Sequence, residues 1–391
     1  RQHLAAALTL VQTGLRQGLD VTILAPGQVP PEAGAEGPGT ELDPAAEAAL
    51  RLAAEHMMAG RLALAADAYA LALQQKHVRR DPRARALAGA DLGDILRQLG
   101  RVDEAIATLR DALQAAREAQ DEWLECAVQL NLGIALHVKG AWAESRGCLE
   151  RALALAEHAR EPATRGRALL ALGNVHRDSG EHALAASLYR QVDQLCRTFP
   201  DPALEGAAAQ ALGNLYFRQR QWSEAEPCFQ RALTIGQQTR DADLQGIALH
   251  MLGNIYRRLG RLEAARQALT GAVALAGARP SETALAGRLN DLAVVEQALG
   301  RLPEARTHYQ QAAETYRRLG LAHPDIAGCL ENLGVLRVRA GEVRQGRDDM
   351  LQASAMDNAM IAQAFALASE EARLEFLARA EDRSRGVLAV G

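Results

Sequence analysis

The residue types that most often catalyse reactions or bind metals are scattered along this sequence. There are ten histidines and five cysteines, but none of the motifs typical of phosphate-binding loops, zinc hydrolases, serine hydrolases or dinucleotide-binding folds. His137, His176 and His250 include no pair at the four-residue spacing that would place two ligands on one helical face. We therefore expect no catalytic residue, no metal site, no cofactor and no enzymatic activity.

The cysteine count and the charge balance indicate the cellular compartment and the classes of binding partner. The cysteines are odd in number and lack CxxC spacing, which favours reduced thiols buried as small apolar side chains. The 44 basic and 48 acidic residues give a net charge of −4, which predicts neither a nucleic acid nor an anionic membrane as partner. No apolar run reaches the roughly 18 residues that a membrane-spanning helix needs. These features favour a cytoplasmic protein.

Asparagines recur at fixed spacing and have clear binding potential. Asn174, Asn214 and Asn254 lie 40 residues apart, and Asn131 and Asn332 share a second repeating position. Because a carboxamide offers both a donor and an acceptor, a row of them can pair with the backbone of an extended peptide. The alternative is that these asparagines face solvent or bond to an adjacent helix.

Four arginines accompany the asparagines: Arg177, Arg218, Arg257 and Arg258. A guanidinium group can donate two parallel hydrogen bonds to one carboxylate. The pattern therefore predicts that an extended segment with acidic side chains binds beside the asparagines. The alternative is a solvated face, or pairing with glutamates of the same chain.

The 40-residue interval belongs to a repeat that extends through most of the chain. Twelve residues after each Leu-Gly glycine comes a small residue, and four residues later a large apolar one. Spacings of three and four place such residues on one face of a helix. The glycines of the Leu-Gly pairs are Gly93, Gly133, Gly173, Gly213, Gly253 and Gly334.

Helix boundaries repeat with the same period. Glycine recurs where the first helix of each pair should end, with Arg220 as the one exception. Asp81, Asp121, Asp201 and Asp241 share the position where the next helix should begin, and aspartate is a good N-cap residue. Each repeat is therefore predicted to contain a first helix, a glycine turn, a second helix and a capped junction.

The run from Ala211 to Tyr216, followed by Trp222, Ala225 and Phe229, resembles a tetratricopeptide repeat. The 40-residue period is similar to the long-repeat subgroup that includes kinesin light chains and the Leu-Gly-Asn-repeat adaptors. The resemblance implies an all-α fold: a right-handed α-solenoid of eight helix-turn-helix repeats over residues 43–355, closed by a C-terminal capping helix. It also implies a concave groove lined by the first helices, with the asparagines and arginines of repeats 4 to 6 inside it.

The two ends give weaker patterns. Residues 1–24 predict a helix and a short apolar segment, either the remnant of an upstream domain or an N-terminal cap, and residues 25–42 predict a Pro/Gly-rich linker. Residues 356–391 predict further helices. They resemble the segment that joins such repeats to a caspase-like CHAT domain, and the alternative is a plain capping helix.

Taken together, these patterns predict a protein–protein interaction scaffold that binds an extended peptide or a partner domain, or an effector domain of the same chain. We interpret it as the recognition arm of a larger bacterial signalling or defence protein. The alternatives are a free-standing adaptor and the sensor region of a transcriptional regulator.

Overall fold

The structure, a computed structural model, describes residues 44–276, 282–319 and 324–367, and every regular element in these ranges is an α-helix. The segments predicted at residues 1–24 and 25–42, and the chain after Leu367, lie outside the described residues. The helices belong to two compact units, residues 1–220 and 221–391.

Between residues 44 and 220, the first unit contains five first helices, four second helices and one short connecting helix. In chain order these are α1 (Pro44–Met58), α2 (Leu62–Gln74), α3 (Lys76–Arg80), α4 (Pro82–Gln98), α5 (Val102–Glu118), α6 (Glu122–Lys139), α7 (Trp142–His158), α8 (Pro162–Asp178), α9 (His182–Thr198) and α10 (Pro202–Arg218).

The second unit begins with a second helix and continues with three helix pairs. They are α11 (Trp222–Thr239), α12 (Ala242–Arg258), α13 (Leu262–Ala276), α14 (Glu282–Ala298), α15 (Leu302–Leu319), α16 (Pro324–Arg339) and α17 (Val343–Leu367). Helix α17 passes through the predicted border between residues 355 and 356 without a break.

The helix ends follow the predicted caps. Asp121 Oδ1 accepts a hydrogen bond from the Leu124 amide at 3.1 Å, and Asp201 Oδ1 accepts one from Leu204 at 3.0 Å. After α6, Gly140 has a φ of 82°, a backbone angle that residues other than glycine rarely adopt. Arg220, the exception in the glycine column, takes the same left-handed conformation with a φ of 60°. The turn geometry is therefore kept even where glycine is not.

The Leu-Gly glycines bring the two helices of a repeat into close contact. A Cβ atom on Gly173 of α8 would lie 2.4 Å from Cε1 of Tyr189 in α9, and one on Gly133 would lie 2.5 Å from Leu149 Cγ. In the second unit, Gly253 meets Leu269 in the same way at 2.5 Å. These contacts confirm the predicted all-α solenoid of paired helices.

The first helices of successive repeats also contact one another. In the first unit α4 contacts α6, α6 contacts α8, and α8 contacts α10; in the second unit α12 contacts α14. Helices α4, α6, α8 and α12 thus each pack on their own second helix and on at least one neighbouring first helix. The face that remains is where a binding partner could reach the first helices.

Replacing Gly173 with alanine tests the close helix contact. We expect Gly173→Ala to destabilise the protein by about 1–3 kcal/mol, because the new methyl group overlaps the Tyr189 ring. Gly147→Ala in α7 is the matched control: an added Cβ there meets no atom within 4 Å, so we expect stabilisation by about 0.5–1 kcal/mol. Urea denaturation followed by circular dichroism measures both, and equal effects of the two substitutions would contradict the packing argument.

Candidate functional site

Five partly exposed residues of α8 form a stripe along one face of the helix. Arg167, Leu170, Asn174, Arg177 and Asp178 are partly exposed and follow one another at spacings of three, four, three and one. We call this stripe, with the matching residues of the neighbouring first helices, the first-helix face of the first unit. The matching residues are Asp94 and Arg97 of α4, His137 of α6, and Asn214 and Arg218 of α10.

Asn174 uses its oxygen within the protein. Its Oδ1 accepts hydrogen bonds from the Tyr189 hydroxyl at 2.8 Å and from Arg177 Nη1 at 3.2 Å. Burial raises the pKa of Tyr189 to about 12, so this hydroxyl stays protonated and keeps donating. No hydrogen bond to another described residue involves the Asn174 amide nitrogen, which therefore remains available to an incoming acceptor.

Asn214 and Asn332 also keep their hydrogen-bonding capacity. Both are half-buried, Asn214 on α10 and Asn332 on α16, and neither side chain bonds to any residue within the described ranges. Since an unpaired carboxamide offers two donors and an acceptor, both can pair with a ligand.

Asn131 and Asn254 are engaged internally. Asn131 is only 6% exposed, and its Nδ2 donates to the Ala90 carbonyl oxygen at 3.5 Å. Asn254 is 8% exposed, and its Nδ2 donates to Asp291 Oδ2 at 2.8 Å. For these two asparagines the geometry matches the alternative in which the amide bonds to an adjacent helix.

Arg177 and Arg218 share one carboxylate. Arg177 donates from Nε to Asp178 Oδ1 at 2.8 Å and from Nη2 to Oδ2 at 3.0 Å. Arg218 Nη1 lies 3.4 Å from Oδ1, and His137 Nε2 lies 2.8 Å from Oδ2. The hydrogen bonds from Arg177, followed by that of His137, lower the pKa of Asp178 to about 2. Asp178 thus joins α6, α8 and α10 and neutralises part of the predicted cationic cluster.

Arg257, in the second unit, has no described carboxylate partner comparable to the one that Arg177 and Arg218 share. Arg257 Nη2 donates to Asn254 Oδ1 at 3.3 Å, a neutral acceptor, and its Nε is buried without a hydrogen-bond partner among the described residues. Asp291 bonds instead to His250, whose Nε2 lies 2.7 Å away. Burial raises the pKa of Asp291, but the bonds from His250 and Asn254 outweigh it, so the net direction is down. Arg258 is exposed and has no ion pair with any described residue.

Arg167 belongs to the first-helix face but was not among the predicted site residues. Its Nε is buried, and no described residue accepts a hydrogen bond from it. Burial lowers the pKa of this guanidinium. The sequence does contain a signal: the same position in the two repeats on either side holds Leu87, Ala127, Ala207 and Ile247, so Arg167 interrupts a run of apolar residues.

The remaining polar groups form no further cluster in the described part of the chain. There, no group of three or more His, Cys, Asp or Glu residues could hold a metal ion. The cysteines are free; Cys126, Cys196 and Cys329 are buried, and burial raises the pKa of Cys126 to about 11. No helix within the described ranges is long and apolar enough to cross a membrane.

Family profiles match most of the repeat region. A profile of the tetratricopeptide repeat matches residues 124–196, 206–278 and 285–359, and a second tetratricopeptide repeat profile matches residues 90–118. The chain belongs to the tetratricopeptide repeat family. A search of curated proteins found no match.

Many solved structures share the tetratricopeptide fold of this chain. It is similar to the apo quorum sensor NprR from B. thuringiensis at 13% identity and a TM-score of 0.62, covering 81% of this chain and 89% of NprR. A STAND protein with a tetratricopeptide repeat sensor from Pyrococcus horikoshii gives 13% identity and a TM-score of 0.63, covering 94% of this chain but only 54% of that protein. A Rap protein complexed with competence and sporulation factor is 13% identical to this chain and gives a TM-score of 0.56. The match covers 83% of this chain and 89% of the Rap protein.

Asp178 yields a pH-dependent prediction. Because its folded-state pKa of about 2 lies below the ordinary aspartate pKa of 3.8, its stabilising contribution is complete above about pH 4 and is lost as the pH falls toward 2. We expect Asp178→Asn to destabilise the protein by about 1–2 kcal/mol at pH 6, allowing for solvent screening. The difference from the unsubstituted protein should shrink between pH 4 and pH 2 in urea denaturation series. A difference that is constant across this range would contradict the assigned ion pairs.

Proposed function

We propose that this protein is a protein–protein interaction scaffold that binds an extended peptide segment along the first-helix face of the first unit. One observation carries the proposal: Asn174 and Asn214, on adjacent helices α8 and α10, keep side-chain NH2 groups that donate a hydrogen bond to no described residue. Amide groups of this kind can pair with peptide backbone whatever the ligand's side chains.

The spacing of the helices suits an extended ligand. Packed helices lie about 8–10 Å apart, and an extended chain advances about 3.3–3.6 Å per residue. Asn174 and Asn214 would therefore meet backbone groups about three residues apart. A peptide running across α8 and α10 fits this interval better than a helix, whose backbone groups are bonded internally.

The structural neighbours support a recognition role through their shared fold. NprR is a quorum sensor, the Rap protein is seen with a bound factor, and the Pyrococcus horikoshii protein carries its tetratricopeptide repeats as a sensor. We therefore favour a cytoplasmic recognition arm of a larger bacterial signalling or defence protein, with a protein or peptide as partner. A free-standing adaptor and the sensor region of a transcriptional regulator are the other versions of the same binding role.

Truncation of the two free amides tests the proposal. We expect Asn174→Ala with Asn214→Ala to reduce capture of the partner at least tenfold in a pull-down from the source organism's lysate, quantified by mass spectrometry. Asn214→Ala alone should reduce it severalfold and loses no described internal hydrogen bond. The matched control is Gln191→Ala with Gln194→Ala, which removes two exposed amides from the second helix α9.

The outcomes separate binding from folding. Thermal melting of each variant shows whether loss of the Tyr189–Asn174 hydrogen bond has destabilised the first unit. Undiminished capture by the asparagine variants, or an equal loss in the glutamine control, would contradict binding at this face.

A further inference from the structure

The charges on the first-helix face of the first unit are almost all paired. Asp94 accepts from Arg97 Nη2 at 2.7 Å through Oδ1 and from Gln98 at 2.8 Å through Oδ2. Asp178 is bound by Arg177, Arg218 and His137. Arg167 is different, because its guanidinium has no hydrogen bond or ion pair with any residue that the structure describes.

The two acids that act on the charge of Arg167 have other hydrogen-bond partners. Asp94 and Asp201 lie close enough to act on its charge but form no ion pair with it. Both oxygens of Asp94 are already bonded, and Asp201 caps α10 through the Leu204 amide. An arginine that is partly buried without an acceptor loses hydration and gains no protein contact in return. The free protein therefore holds a guanidinium ready to accept an anionic partner.

We propose that Arg167 binds a side-chain carboxylate of an acidic peptide lying along the first-helix face of the first unit. The inference rests on the proposed function and adds the chemistry of the ligand. Asn174 lies seven residues farther along α8, about 10 Å away, with the half-buried Leu170 between them. The peptide would thus meet a charge, an apolar surface and a backbone-pairing amide in turn.

The surroundings favour a single carboxylate over a more highly charged anion. Asp94, Asp178 and Asp201 lie around the guanidinium or along the same face, and they would repel a phosphate group or a nucleic acid strand. A carboxylate carries one charge and matches the fork geometry of one arginine. Arg177 contributes little to this recognition, because its Nε and Nη2 already donate hydrogen bonds to Asp178.

Two fluorescein-labelled, C-terminally amidated peptides test the proposal: (Ala-Glu)5 and (Ala-Gln)5. By fluorescence anisotropy, the full chain should bind the glutamate peptide at least tenfold more tightly than the glutamine peptide. Arg167→Met should abolish this preference. Arg146→Met removes the same charge from the exposed surface of the second helix α7 and should keep the preference.

Two further measurements separate a binding role from a structural one. On titration with (Ala-Glu)5, the Arg167 Nε–H NMR signal, assigned by its loss in Arg167→Met, should shift more than that of Arg218. The thermal midpoint of Arg167→Met should be equal to or above that of the unsubstituted protein, because a desolvated and unpaired charge is removed. A lower midpoint would assign Arg167 to the fold and overturn the inference.

The remaining outcomes separate a failure of this inference from a failure of the proposed function. Equal affinity of the unsubstituted protein for both peptides, or a glutamate preference that survives Arg167→Met, overturns the inference. If the glutamate preference is absent while partner capture still depends on Asn214, binding at the face stands without a carboxylate contact at Arg167. If capture is independent of Asn214, the proposed function itself fails.

Discussion

The close approach of paired helices at the Leu-Gly glycines is the constraint on which the rest of the structure depends. Where Gly173 faces Tyr189, no side-chain atom fits between the backbone of α8 and the ring. That contact fixes which side of α8 is buried and so which side remains for Arg167, Asn174 and Arg177. Because one helix pair cannot bury its apolar surface alone, each pair also needs its neighbours, and in the first unit α4, α6, α8 and α10 consequently contact one another in succession.

The repeat, the caps and the fold class could all be predicted from the sequence, because they depend on residue types at fixed spacing. The Asp121 and Asp201 caps and the glycine turns form where expected. Arg220 shows that geometry imposed by the flanking helices can hold a non-glycine residue at a positive φ. Such a residue gives no signal by itself, and only its place among the glycines identifies the turn.

The environment of each polar side chain was not predictable from its column. Asn174 and Asn254 occupy the same repeat position, yet Asn254 bonds to Asp291 while Asn174 keeps a free amide. The difference arises from the neighbouring first helix, because α14 places Asp291 within hydrogen-bond distance of Asn254. Arg177 was similarly predicted to bind a peptide carboxylate, with pairing to a glutamate of the same chain as an alternative, but its guanidinium donates to Asp178, the next residue in the chain. Spacing within one helix does not reveal partners 37 to 41 residues away.

Internal pairing and open binding capacity together define what the face can recognise. A face covered with free arginines would attract any polyanion, whereas here Asp178 and Asp94 neutralise most of the positive charge. Free amides bind backbone without regard to sequence, so selectivity must come from the few groups that remain unpaired. Arg167 is such a group, and its desolvation is a cost to the free protein that only a bound anion can offset. The unpaired charge of Arg167 therefore lowers the stability of the free protein and at the same time favours ligands that carry a carboxylate over neutral ones.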